Sequence, residues 1–254
     1  MKVSALLALA LALATTSLHA LDISDRQAVE IGRRIWENEC AGTVSGLTSW
    51  NAGEGFASLG IGHFIWYPAG LRGPFEESFP GLARFLKTHG QPVKDWMLGP
   101  CPWKARADFL GDANGPRLKD LRALLVATVS LQARYAAMRL ESALPKMLAA
   151  APMIERAKVE TNFRRVAAEP LGYYALMDYV NFKGEGTNPS ERYQEAGWGL
   201  LQVLTNMNSS GPALPAFARS ADETLTLRVK KSPPERSEAK WLPGWRSRLK
   251  TYLE

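Results

Sequence analysis

Between Arg117 and Leu144 the residues Leu118, Leu121, Leu125, Val129, Gln132, Ala136 and Leu140 recur at three-, four- and seven-residue steps, and Leu124, Thr128, Leu131 and Tyr135 widen the row. That period belongs to a helix; a half-buried strand alternates every two residues. A stripe this broad on a helix this long needs apolar neighbours on more than one side. The pattern therefore predicts one central helix over 117–144 with other helices packed around it. Helical spacing returns at Phe79–His89, Pro152–Ala168, Gly172–Phe182 and Ser190–Asn206. The segment 183–189 between the last two is rich in Gly, Asn and Pro and is expected to be a loop. The tail, Ala221–Glu254, contains Pro233, Pro234 and two tryptophans, and is expected to close on the core as one short helix.

The front of the chain differs. Over Asp25–Trp36, Ala28, Ile31, Gly32 and Ile35 fall on one side, while Arg26, Glu30, Arg33, Arg34 and Glu37 fall on the other. Extending the row Ile31, Ile35 by four residues reaches Glu39, so that carboxylate should face inward at the helix end and Glu37 should face water. Beyond Gly42 the period shortens. Leu47–Trp50 and Phe56–Trp66 read as strands across the turn Asn51–Gly55, ended by Pro68, Gly70, Gly73 and Pro74. The expectation is an α+β, mostly α domain with a small antiparallel hairpin lobe and a larger helical lobe.

Lys2, the apolar run Ala5–Ala14 and Ser17–Ala20 have the layout of a secretory signal peptide cut after Ala20, leaving residues 21–254 as a single exported domain, periplasmic or secreted. No later stretch is apolar enough for integral membrane association. In an oxidising compartment Cys40 and Cys101 most simply form a disulfide, worth roughly 4 kcal/mol on the chain-entropy model; two free thiols are the alternative. The formal charge of +6 suits anionic partners such as wall polymers, but without a dense basic cluster it does not point to nucleic acid. No Walker loop, HExxH, CxxC, GxSxG or GxGxxG occurs, and His63, His89 and Cys40 lack ligand spacing, so neither a metal nor a cofactor is expected.

What remains is a carboxylate at a helix end followed by Ser58-Leu59-Gly60-Ile61-Gly62-His63. Glycosidic cleavage needs a protonated acid at the leaving oxygen, and burial raises a carboxyl pKa toward that role. Glu39 has the position. Read as one strand, Ser58, Gly60 and Gly62 share a face, and the two glycines would leave backbone open to a sugar chain. His63 shares the face of Ile61 and is expected to be structural, in a buried ion pair supporting the hairpin.

Glu39 and "SLGIGH" together resemble the amino-terminal pattern of phage-type lysozymes, in which a glutamate precedes a Thr-x-Gly-x-Gly-His hairpin. The segment Ala175–Gly184 is similar to that family's later helix, and Glu39-Cys40-Ala41-Gly42 resembles the Glu-x-x-Gly opening of goose-type lysozymes and lytic transglycosylases. The resemblance implies a lysozyme-like fold, peptidoglycan or a related polysaccharide as partner, Glu39 as general acid, and Ser58 as the hydroxyl that positions water. The aspartate of the phage-type family has no counterpart here, and Glu54 is the nearest carboxylate. Fully extended, residues 54 and 58 would lie roughly 13 Å apart, so the two could serve one water only if the turn curls back. Inverting hydrolysis places its carboxyls about 6.5–9.5 Å apart; a larger gap favours a one-glutamate, transglycosylase-type mechanism.

Each residue also has a plainer reading. Glu39 can close its helix in a salt bridge with an arginine, Glu54 can be a turn residue, and Trp50, Trp66, Trp198 and Tyr179 can be core. Asn181 and Glu185 are candidates for sugar contacts on the second lobe. A chitosanase or chitinase, or an inert wall-binding accessory protein, would share the same outline.

Overall fold

The structure, a computed structural model, describes residues 23–189 and 191–254; the signal-peptide reading of residues 1–20 lies outside them. Helix α1 (Asp25–Cys40) starts at Ser24, whose hydroxyl accepts from the Gln27 amide (3.3 Å) while the Gln27 side chain accepts from the Ser24 amide (3.0 Å). This reciprocal pair satisfies two amides that a helix start otherwise leaves bare. The helix buries Ala28, Ile31, Gly32 and Ile35, and Ala41 and Gly42, both at positive φ, turn the chain out of it.

Three short strands follow: β1 (Thr48–Ser49), β2 (Ala57–Leu59) and β3 (Phe64–Trp66), antiparallel in that order. Thr48 pairs with Leu59, Leu59 with Phe64, and Ala57 with Trp66, all of them buried on the core side; Ser49, Ser58 and Ile65 pair on the other face. The single strand expected over Phe56–Trp66 is thus two strands, because Gly60 (φ 70°) and His63 (φ 47°) reverse the chain between them.

Helices make up the rest: α2 (Phe79–Thr88), α3 (Arg106–Gly111), α4 (Pro116–Ala127), α5 (Val129–Ala150), α6 (Met153–Ala167) and α7 (Gly172–Lys183), then a two-stranded hairpin β4 (Arg192–Tyr193) and β5 (Ala196–Gly197), and α8 (Leu200–Asn206), α9 (Ala213–Lys231) and α10 (Leu242–Lys250). The molecule is mostly helical, with one three-stranded antiparallel sheet and a second of two strands. The buried apolar residues of sheet and helices join in one cluster that runs from Ile23 to Tyr252. Among the described residues no helix is long and apolar enough to cross a membrane.

The predicted central helix is broken. At Thr128 (φ −119°, ψ 19°) α4 ends and α5 begins. A break frees carbonyls, and here side chains take them up: the Thr128 hydroxyl donates to Leu124 O (2.7 Å) and the Gln132 amide to Leu125 O (2.6 Å). The break lies where α1 crosses. A Cβ on Gly32 would sit 2.7 Å from Val129 Cγ1, so the bare glycine lets α1 rest on the first residue of α5. The helix expected at Ser190–Asn206 is replaced in its first half by the β4–β5 hairpin, whose turn holds Gln194 and Glu195 at φ 47° and 66°. Glu191–Gly197 offers no apolar row for a helix to bury. The tail holds two helices rather than one, with α9 starting at Ala213.

Candidate functional site

Helical phase delivers Glu39 as expected. It lies below Ile31 and Ile35, its side chain only 11% exposed, whereas Glu37 is 54% exposed and paired with Arg33 at 2.6 Å. One Glu39 oxygen receives the Arg248 guanidinium from α10, and the other lies 3.5 Å from His63 Nδ1. Arg248 also grips Asp178 of α7 twice, Nε to Oδ2 at 2.8 Å and Nη2 to Oδ1 at 2.8 Å. Asp178 is wholly buried and accepts two further bonds, from the Tyr252 hydroxyl (2.7 Å) and Asn38 Nδ2 (3.2 Å). Four donors on one carboxylate are what a buried charge requires. Burial works against the Arg248 charge, but its bonds to Asp178 and the charges of Asp178 and Glu39 prevail and hold the guanidinium above its ordinary range.

The β2–β3 turn faces this carboxylate because two helices clamp it. Gln132 Oε1 accepts from the Ile61 amide (3.0 Å), and the Cys40 thiol donates to Gly60 O (3.8 Å). Gln132 is the residue that also catches Leu125 O, so one side chain ties the helix break to the turn. Gly60 and Gly62 do not line an open strand face with Ser58. A Cβ on Gly60 would meet Gln132 Oε1 at 2.3 Å, and one on Gly62 would meet the Phe64 ring at 2.8 Å, so these glycines admit close packing inward. The buried ion pair expected of His63 is a contact at the surface, the imidazole being 35% exposed.

Ser58 sits mid-strand in β2 and is buried. Glu54 closes the β1–β2 turn, its carbonyl accepting from Trp50 Nε1 (2.8 Å). Its Oε2 is buried and has no hydrogen-bond partner. Neither residue is among the polar partners of Glu39, which are Arg248 and His63. Asn181 and Glu185 are brought together: with Phe64, Arg139 and Leu140 they line a crevice of about 50 Å³ between α5 and α7, one residue along the chain from His63. Past Glu185, burial pushes the Glu191 carboxyl above the usual range; Arg228 opposes this and the Glu185 charge adds to it.

In the structure Cys40 and Cys101 are two separate buried thiols. Cys101 donates to Trp103 O (3.5 Å) while Cys40 faces Gly60, so each is spent on a different loop. Burial, aided by the Glu39 charge, pushes Cys40 up to about 12, and burial pushes Cys101 to about 11. Trp50, Trp66, Trp198 and Tyr179 are core. Among the described residues no three His, Cys, Asp or Glu side chains cluster as metal ligands.

Sequence reasoning missed Arg248, Asp178, Tyr252 and Glu191. One signal was available: Asp178 is the only charge in Tyr173–Phe182, and an acid on so apolar a helix demands a buried donor set. No family model, curated protein or solved structure matches this chain.

Proposed function

We propose that the chain is an exported, lysozyme-like enzyme that cleaves glycosidic bonds in bacterial peptidoglycan, with Glu39 as general acid. The observation that carries this reading is an inward carboxylate at the end of α1, mostly buried and held against His63 of the glycine-rich β2–β3 turn. A general acid must present a proton to the leaving oxygen, and Arg248 occupies one of the Glu39 oxygens. Substrate engagement therefore has to draw Arg248 away from Glu39. Asp178 suits that step, because it retains the guanidinium by two bonds when Glu39 releases its own. Glu39, having taken a proton from water once Arg248 has moved, then donates it to the leaving oxygen as the glycosidic bond breaks. Glu54 is the candidate for the water-activating side with Ser58: its unpartnered Oε2 is a buried acceptor whose desolvation nothing in the protein offsets. Asn181 and Glu185 would contact sugar from the crevice.

A second reading is supported by the same ion pair. A Glu39 that never parts from Arg248 is a structural carboxylate, and the chain is then a wall-binding accessory protein of the same outline. The purified chain and its Glu39→Gln and Glu37→Gln variants, incubated with peptidoglycan, chitosan and chitin, distinguish the readings when products are identified by mass. Reducing ends indicate hydrolysis, anhydro ends transglycosylation, and release from chitosan or chitin alone a different polymer. Binding without release supports the accessory reading. Loss in Glu37→Gln with Glu39→Gln intact removes Glu39 from the mechanism.

A further inference from the structure

Lys183, the last residue of α7, is held in a setting unlike that of a surface lysine. Its Nζ lies 3.6 Å from the Trp245 ring centre and 4.0 Å from that of Phe182. Ring faces attract an ammonium but accept no hydrogen bond from it as an oxygen would. The charged groups around it come from three elements. Arg228 of α9 stacks on Trp198 (4.1 Å) and is bonded to Glu238, which precedes α10; Arg248 of α10 lies 4.4 Å from the same Phe182 ring. Beyond Gly184, Glu185 and Glu191 belong to the adjoining loop, and Glu191 packs on Gly184. Asp178 of α7 and Glu238 before α10 are both committed to arginines.

We propose that Lys183 is a nucleophilic amine that forms an imine with a small aldehyde or ketone. The geometry supplies an amine with no carboxylate partner among the described residues, lodged against two rings that offer it no acceptor, and two guanidinium neighbours that disfavour a third cation. Burial, then Arg228 and Arg248 against the opposing pull of Glu238, lowers the ammonium to about 7, although the end of a helix ordinarily favours a cation. About half of the side chain is then neutral at pH 7, against roughly one in a few thousand for an ordinary lysine. In the reaction the nitrogen lone pair attacks the carbonyl carbon and a C–N bond forms. Both amine protons end on the carbonyl oxygen, which leaves as water, and the C=N bond remains. Hydrolysis reverses every step. The reaction uses no step of the Glu39 mechanism, although Arg248 borders both sites.

The test uses the full chain and pyridoxal, a flat aromatic aldehyde. After incubation at pH 7, borohydride reduces the imine to a stable secondary amine that peptide mass mapping locates. Lys183 is expected to label at least tenfold faster than any other lysine, with a rate that rises through a midpoint near pH 7, and Lys183→Arg is expected to lose that fast phase. Labelling spread evenly over exposed lysines, or a Lys183 rate that rises only above pH 9, overturns the proposal. The wild-type pH profile decides the matter even where the variant fails to fold.

Discussion

Replacing Arg248 by Met keeps the aliphatic stem and removes the charge that neutralises a wholly buried Asp178. Three bonds disappear, two to Asp178 and one to Glu39, and Asp178 is left with only Tyr252 and Asn38. Breaking a buried pair from one side costs about 3–5 kcal/mol, a large part of the 5–15 kcal/mol that holds a typical domain folded. In urea, with a slope of about 2.5 kcal/mol per molar, the midpoint should fall by roughly 1.5 M. Arg248→Met combined with Asp178→Asn should recover most of the stability, since neither partner is then left charged and alone. A single variant that loses less than about 1 kcal/mol at pH 7, or a double variant no better than the single, would refute the argument that Asp178 is held by charge.

Gly60→Ala should lose about 2 kcal/mol or more in thermal or urea unfolding, because a left-handed φ and a 2.3 Å approach to Gln132 act together. Both thiols should stay unreactive toward a disulfide reagent in the native protein at pH 8 and react, two per chain, after denaturation; one intact disulfide would instead give none. Arg228, with Tyr193 and Arg236, holds the Glu238 carboxyl down to about 2, so its contribution is complete above the unfolded value near 4.5 and is lost as pH falls through 2. Glu238→Gln should therefore flatten the acid unfolding curve across that window.

The first helix was legible in sequence because its signal is local. Ile31, Ile35 and Glu39 share a face by arithmetic, and Ser24 with Gln27 fixes where the count starts. The break at Thr128 was not legible, since the stripe on either side keeps the same period and what interrupts it is another helix crossing at Gly32. The glycines of the β2–β3 turn were visible as glycines, but the purpose of Gly60 depends on Gln132, some seventy positions away. Glu39 was found, whereas the arginine that governs it was not. The salt bridge weighed for it at the outset exists, with a partner from the far end of the described chain.

That partner ties the candidate site to the seating of α10. Arg248 reaches Glu39 across 209 positions, so closing that contact costs more chain entropy than forming a hairpin or pairing successive helices. A chain that has packed α1 on α5 but not yet seated α10 holds Asp178 without its cation, and water must keep solvating that carboxylate. The seating of α10 thus both dehydrates Asp178 and gives Glu39 its environment. A loosened α10 would disturb the candidate site well before the body of the protein unfolds.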